Sequence, residues 1–342
     1  MSKITAGVNG FGRFGLHLLK YWLDRTDECS FEIKSINDKK LNKEEILEII
    51  LKDYSVIFNS YKFRLSGSIL QILSPNGNNY EINITNKEDA DIPWIGKYDL
   101  FLECSGLNTL RKNCEKFIIG KTKLVAISAT SWDSDSTLVY GYNHKNYDLK
   151  EHKIISYGSC TVNAYVPLAN FINEKFGILN SDVNVIHNIQ RYRMDDNYTL
   201  NRKFCTLEKS AVDLLPFVNE NNFKVNYTVI PYEYTSTIDF RFQLRENVTQ
   251  KMLIDKLKKS IHNGYLNNLY DIEDYDNGPE IFNCTPYSSV FIKDGIKKVG
   301  DNFYFQAYFD NENSVNRYYD LISFISNNFM SSDNYIRSLK ST

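Results

Sequence analysis

The sequence predicts an α/β protein in two parts: a doubly wound parallel sheet, followed by an α+β unit whose sheet is mainly antiparallel. Three observations predict it. The first half alternates apolar runs of strand length with stretches of helical spacing. Two of those runs, "YDLFLECSG" and "KLVAIS", are apolar almost without a break, as strands buried on both faces of a parallel sheet are. The second half instead carries "STIDFRFQLRE", which puts Ile238, Phe240, Phe242 and Leu244 on one face and Asp239, Arg241 and Gln243 on the other. That period of two is the mark of a strand with one buried face.

Taken in chain order, Lys3 to Val8 form a short apolar strand, followed by the glycine turn "NGFGRFG". Leu16, Leu18, Leu19, Trp22 and Leu23 come next, spaced for a helix packed on a sheet. Phe31 to Ile36 give a second strand closed by Asn37 and Asp38, and "LNKEEILEIILKDYS" gives a helix with Asn42 as its cap. "KFRLSGSILQIL" and "YEINITN" alternate polar and apolar residues and predict an antiparallel insertion. A helix from about Asn108 to Gly120 is expected between the two apolar strands. Further on, Thr249 caps a helix carrying Met252, Leu253, Leu257 and Ile261 that ends near Gly264, and a last helix follows Arg317 with Leu321, Ile322 and Ile325.

Composition narrows the function. The chain has 342 residues and is 42% hydrophobic and 24% charged, enough for one large core or two moderate ones. Forty Lys+Arg against 42 Asp+Glu leave a net charge of -2, so there is no basic excess to hold nucleic acid. "MSKITAGVNGFGRFG" lacks the apolar stretch of a secretion signal and no segment is apolar for the length of a membrane span, so a cytoplasmic protein without a membrane partner is expected. Six cysteines with no CxxC pair argue against a zinc site or a disulfide framework and are expected to be thiols.

"GFGRFG" places Gly10, Gly12 and Gly15 in a G-x-G-x-x-G pattern, after a strand and at the start of a helix, which is the setting a dinucleotide turn needs. Gly10 suits the tight turn, Gly12 the close approach of backbone to a pyrophosphate, and Gly15 the contact of helix with strand. Asp38 ends the second strand about twenty residues on, where a carboxylate accepts from ribose hydroxyls and repels a 2′-phosphate. This Rossmann-like arrangement points to NAD rather than NADP.

"ISYGSCTVNA" sets Cys160 after a glycine-serine turn and in the first turn of a helix. Oriented N–H groups there favour a thiolate, and hence a nucleophile at neutral pH. His187 closes the apolar strand "VNVIH", and one helix and one returning strand bring it back toward Cys160. Together they have the parts for aldehyde oxidation through a thioester. The residues alone leave a second reading open, in which Cys160 is a buried structural thiol and His187 a satisfied core histidine.

"VNGFGRFG", "INDK", "ECSG", "ISAT", "YGYNHKNYD", "IISYGSCTVNAYVPLANFINEKFGI" and "DNEN" follow one another as in the glyceraldehyde-3-phosphate dehydrogenase family, which includes erythrose-4-phosphate dehydrogenases. The chain resembles that family over nearly its whole length, as a divergent member. The resemblance implies an NAD-binding domain at 1–155, completed by the C-terminal helix at about 316–342, and a catalytic domain at 156–315. It makes Cys160 the nucleophile of an S-C-T-x-N motif and His187 the residue that activates it. Ser159 and Thr161 then meet substrate. Phe11, Gly12, Arg13 and Phe14 match the pyrophosphate turn, Asp38 the ribose acid, Ser105, Gly106 and Ser128 the turns that follow later strands, and Asn311 the residue that holds the nicotinamide carboxamide. A homo-oligomer, tetramer or dimer, is implied.

The chain also departs from the pattern. The arginine that precedes the family's "VPT" and binds substrate phosphate is replaced by Val229 in "VIPY". The loop after the histidine is shorter and reads "NIQRYRMDDNYTLNRKFCT", with Cys205 at the position of an active-site threonine. The tryptophan-glycine-tyrosine after the cofactor asparagine is absent, since "NENSVNR" stands there. Arg191 and Arg193 lie in the remodelled loop and are candidates to bind the phosphate instead. The expected function is NAD-dependent oxidation of a small, phosphorylated sugar aldehyde through a Cys160 thioester released by phosphate or water, in specialised carbohydrate metabolism. The alternative is a catalytically weak paralogue that binds NAD and a partner.

Overall fold

A computed structural model describes residues 3–53, 55–189, 200–232 and 234–340. The chain divides into two compact units, Met1–Gly158 with Tyr318–Thr342, and Ser159–Arg317. Among the described residues no helix is long and apolar enough to cross a membrane. All six cysteines are free.

The first unit is α/β. Its strands are β1 (Ile4–Asn9), β2 (Phe31–Asn37), β3 (Lys62–Ser66), β4 (Ile69–Leu73), β5 (Asn79–Thr85), β6 (Leu100–Glu103), β7 (Leu124–Ile127), β8 (Ser136–Thr137) and β9 (Ile154–Ser156). They form one sheet in the order β3-β4-β5-β2-β1-β6-β7-β9-β8. Every pair from β5 to β8 along that order is parallel, and the expected insertion β3-β4 pairs antiparallel with itself and with β5. Chain order reverses between β1 and β6, with β2 on one side of β1 and β6 on the other. That reversal opens a crevice at the carboxyl ends of the strands, where ligands of such sheets bind. Helix α1 (Arg13–Asp24) buries Leu16, Leu18, Leu19, Trp22 and Leu23, and α2 (Lys43–Lys52) starts in a full capping box between Asn42 and Glu45.

The helix expected at Asn108–Gly120 is much shorter. Helix α3 spans only Arg111–Cys114 and passes into a 3₁₀ turn at Glu115–Phe117. The Asn108 side chain is taken up by Asp89 and Glu103, and Asp133 accepts from the Arg111 N–H, so the helix cannot begin at Asn108.

The second unit is α+β with a mixed, mostly antiparallel sheet. Helix α4 (Cys160–Phe176) leads into β10 (Ile178–Ile189). There follow β11 (Asn201–Arg202), α5 (Thr206–Leu214), β12 (Phe223–Pro231), β13 (Ser236–Leu244), α6 (Gln250–Asn263), β14 (Tyr270–Glu273), β15 (Ser289–Ile292), β16 (Lys297–Val299) and β17 (Asn302–Phe309). The order is β11-β12-β10-β13-β17-β15-β14, with β16 on β17. Only β10/β12 and β14/β15 are parallel. On β13 the alternating residues Ile238, Phe240, Phe242 and Leu244 are all buried. Helix α6 is capped by Thr249 and buries Leu253, Leu257 and Ile261, whereas Met252 points to solvent at 50% exposure.

Helix α7 (Asn311–Lys340) starts before the expected position at Arg317. Its first turns are polar yet buried: Asn313 donates to the Phe282 carbonyl and to Thr285, and Arg317 to the carbonyls of Asn268 and Pro286. Carbonyl partners supply the hydrogen bonds that burial demands.

Pro167 stands inside α4, where it has no N–H to give to the Asn163 carbonyl. The buried Tyr270 hydroxyl enters the ladder at that point. It accepts from Leu168 N–H at 3.1 Å and faces the carbonyls of Ala164 and Asn163 at 2.9 and 3.2 Å. A proline that would break the helix is thereby accommodated about two turns beyond Cys160.

Candidate active site

In the first unit the glycine turn leaves β1 with Gly10 at φ +102°, hydrogen-bonded through its N–H to the Asn37 carbonyl. A Cβ on Gly10 would lie 2.5 Å from the Ser105 backbone, and one on Gly15 would lie 2.3 Å from the Gly10 carbonyl oxygen. Both positions therefore need glycine. Gly12 caps α1 with no side-chain hydrogen bond, which leaves first-turn N–H groups facing outward. The carboxylate of Asp38, just past β2, accepts from Phe11 N–H at 2.7 Å and, through its other oxygen, from the N–H groups of Lys40 and Leu41.

Gly10, Gly12, Gly15, Asp38, Ser105, Gly106 and Ser128 all follow the carboxyl ends of β1, β2, β6 and β7. Three aligned residues serve the turn through packing. Phe11 is fully buried, and Phe14 lies edge-on between Tyr157 and Tyr318. The Arg13 guanidinium turns inward to Asp53 and Ser55 and donates to His17 Nε2 at 3.0 Å. Burial opposes the charge on Asp53, but the Val56 N–H and the Arg13 guanidinium hold its carboxyl below the usual range.

Beneath the crevice lies a network that sequence reasoning missed. Glu103, at the end of β6, is 1% exposed and accepts from Ser105 N–H, Asn9 and Asn108. Burial pushes its carboxyl up in spite of these donors. Asn9 in turn accepts from Asn37 at 2.9 Å. The network ties β1, β2 and the Ser105 turn together. Its signal was available in "LFLECSG", where one carboxylate interrupts an otherwise apolar strand.

In the second unit Ser159 caps α4 by accepting from Val162 N–H, so Cys160 is the first residue of the helix. The Cys160 sulfur lies 3.4 Å from His187 Nε2. His187 Nδ1 is 2.6 Å from the Asn188 carbonyl oxygen, which accepts only if Nδ1 carries the proton. Nε2 is the ring nitrogen left to face the Cys160 sulfur. Asn188 is itself pinned: its N–H donates to Ser236 Oγ at 3.0 Å, and that hydroxyl donates back to Asn188 Oδ1 at 3.0 Å. Asn188 and Ser236 were not foreseen, because the partner is a backbone carbonyl and any side chain could sit there.

Burial, followed by the charge of the neighbouring Cys205, pushes the Cys160 thiol up, against the helix-terminus effect expected from sequence. Burial of the imidazole pulls the His187 pKa down, although the residue as a whole is only half-buried. The desolvation of a buried thiolate outweighs a helix terminus, which contributes about 0.3–1 kcal/mol. Both shifts favour the uncharged forms of the thiol and the imidazole.

Three hydroxyls gather beside it. Ser159 Oγ is 3.1 Å from Thr161 Oγ1 and accepts from Thr206 at 3.2 Å. Cys205, the residue before α5, has its sulfur 3.6 Å from Thr161 Oγ1. Val229 pairs in register with His187 and is buried. Asn311 opens α7, and its side chain lies outside the described part of the structure, as do Arg191 and Arg193 altogether. Among the described residues no cluster of His, Cys, Asp and Glu could hold a metal ion.

No family profile matches the chain. Curated relatives do. Glyceraldehyde-3-phosphate dehydrogenase 1 of Bacillus cereus is 34% identical over 188 residues, an alignment that spans 55% of this chain and only about half, 53%, of that protein. Glyceraldehyde-3-phosphate dehydrogenase of Streptomyces coelicolor is 29% identical over 345 aligned positions, covering 95% of this chain and 99% of the relative. Glyceraldehyde-3-phosphate dehydrogenase 4 of Caenorhabditis elegans is 25% identical with the same coverage. With both units and the glycine turn in keeping with these full-length alignments, the chain is similar over nearly its whole length to the glyceraldehyde-3-phosphate dehydrogenases, at the identity of a divergent relative.

Proposed function

We propose that this chain is an NAD-dependent dehydrogenase that oxidises a small, phosphorylated sugar aldehyde through a thioester on Cys160. The observation that carries the reading is the 3.4 Å approach of the Cys160 sulfur to a His187 Nε2 whose opposite nitrogen is committed to the Asn188 carbonyl. The residues of the first unit fit NAD. The Gly10 turn has room only for backbone, the uncapped first turn of α1 offers N–H groups to a pyrophosphate, and Asp38 keeps lone pairs for ribose hydroxyls. NAD supplies the acceptor for a hydride.

When an aldehyde carbon meets Cys160, the thiol proton passes to Nε2 as the S–C bond forms. The imidazolium that results faces the new oxyanion and stabilises it, while the Asn188 carbonyl holds the ring in place through Nδ1. As the oxyanion collapses to a carbonyl, hydride leaves that carbon and the thioester remains, with the thiol's proton still held on His187. Phosphate or water then attacks the acyl carbon, and the sulfur departs and recovers its proton. Ser159 and Thr161 share one hydrogen bond, which leaves one of their two hydroxyl protons for the acceptor, while Thr206 gives its own to Ser159.

The test is NADH formation with a panel of free and phosphorylated short aldoses, each with and without inorganic phosphate, for the parent and Cys160→Ala. Turnover of an aldehyde that vanishes in the variant supports the reading, and a strict phosphate requirement identifies the acceptor. NAD binding without turnover of any aldehyde overturns it in favour of the binding paralogue.

A further inference from the structure

The register pairing of β10 with β13 ends at Ile186, opposite Thr237. Just beyond it, side chains take over from the ladder. Asn188 N–H donates to Ser236 Oγ at 3.0 Å, and since an N–H can only donate, the hydroxyl keeps its own proton for Asn188 Oδ1, also at 3.0 Å. The amide nitrogen of the same side chain donates to the Tyr234 carbonyl. Every proton in this small ring therefore has one direction. Asn188 and Ser236 are 8% and 2% exposed, so removal of either leaves the other short of a partner that water does not replace. Ser236 is also the register partner of Phe309 on β17, whose ring meets the His187 imidazole edge-on at 5.5 Å. One residue of β13 thus stands behind both the carbonyl that receives Nδ1–H and the ring that packs on the imidazole.

We infer that Ser236 is a positioning residue for the reaction: through Asn188 it holds the backbone carbonyl on His187 Nδ1 and so keeps Nε2 aimed at the Cys160 sulfur. The inference rests on the dehydrogenase reading above and goes beyond it, since it gives a role to a residue placed behind the base. The direction of the Asn188 carbonyl is set by the Asn188 backbone dihedrals. With its N–H and both side-chain polar atoms anchored, that residue has little freedom to turn. Without the Ser236 hydroxyl two of the three anchors are lost together. Among the described residues the titratable groups that face the imidazole are Cys160 on α4, Tyr227 on β12 and Glu312 on α7. Burial opposes a charge on the ring, whereas the Asn188 carbonyl, and after it the Glu312 charge, favours one. Neither Ser236 nor Asn188 titrates in the working range, so a pH profile that moves when they are replaced reports on the ring they hold.

The test compares the parent with Ser236→Ala, Asn188→Ala and the double variant, and takes Thr237→Ala, the next residue on the other face of β13, as the control. Two quantities are read: the rate of Cys160 alkylation by iodoacetamide across a pH series, without NAD or aldehyde, and kcat and KM for NADH formation. Each single variant is expected to slow alkylation near neutral pH about tenfold, the lower end of what a hydrogen bond to a charged group contributes. Its profile should move to higher pH, because a ring without its carbonyl takes the thiol proton less readily. The kcat should fall by a like factor with KM unchanged. The double variant should be no slower than the slower single, since both residues act through one carbonyl. An alkylation profile that Ser236→Ala leaves in place, losses that multiply in the double variant, or an equal shift in Thr237→Ala overturns the inference. If the parent forms no NADH but the profile still moves as expected, the positioning role stands and the dehydrogenase reading is the part that fails.

Discussion

Gly10→Ala is the sharpest probe of the dinucleotide turn. At φ +102° an L side chain costs about 1–3 kcal/mol in backbone strain. Its Cβ would also meet Ser105 N and Cα at 2.5 Å, and backbone cannot swing aside as a side chain can. Accommodating it costs about 1–3 kcal/mol more, as overpacking does. The total is about 2–6 kcal/mol. At about 2–4 °C per kcal/mol for a unit of this size, the first unit should melt about 4–24 °C lower. Gly67→Ala is the control: Gly67 also has positive φ, at +63°, but nothing lies within 4 Å of its added Cβ, so it pays the backbone cost alone. Because the Ser105 turn hangs on Glu103 and lines the crevice, Gly10→Ala is also expected to raise the NAD Kd at least tenfold, while Gly67→Ala leaves it unchanged. Calorimetry and NAD titration read both effects. Equal Tm losses in the two variants, with NAD affinity intact in each, would refute the close-approach argument.

Other outcomes follow from the same geometry. His187→Gln removes the proton acceptor and is expected to lower kcat by about 10²- to 10⁴-fold with NAD affinity kept, and steady-state kinetics showing less than a tenfold loss would count against the assigned role. His144 accepts from Gly141 N–H through Nδ1 and stacks on Tyr140, and burial followed by the Lys145 charge lowers its pKa to about 4. The unfolded chain, with the ordinary histidine value near 6.5, binds that proton first, so this stability is complete above pH 6.5 and is lost as pH falls toward 4. After discounting for its half-exposed ring the contribution is about 1–2 kcal/mol, and a urea series over that range should be flatter in His144→Gln. Tyr270→Phe strips the hydroxyl from the α4 ladder and should cost about 1–3 kcal/mol in urea unfolding, a cost absent if the ladder closes without it.

Much of the first unit was legible in the sequence because its signals are local. The glycine turn, the Asn42 cap and the apolar strands each announce themselves within a few residues. The Cys160–His187 proximity was legible only as one helix and one strand returning, and the resemblance gave it a chemical role. What could not be read comes from partners far along the chain. Nothing near Asn108 shows that Asp89 and Glu103 claim its side chain and shorten α3. Nothing in "NENSVNR" shows that carbonyls from distant loops let a polar segment begin a buried helix. The thiol's raised pKa belongs to the same class, since the helix start is written locally and the desolvation is not.

The Tyr270 hydroxyl inside α4 has a consequence for inheritance. The segment from Ser159 to Phe176 looks portable, a contiguous block that begins with the nucleophile. It is not self-sufficient, because the gap opened by Pro167 is filled by a residue from β14, encoded about a hundred positions later. Pro167 and Tyr270 therefore form one heritable character split between two places. Drift at either is penalised until the other changes, and a chimera that takes α4 from a relative without its own β14 inherits either a broken ladder or an orphaned hydroxyl. In this protein the boundary of the active-site module is drawn by a single shared proton, not by the stretch of sequence that names it.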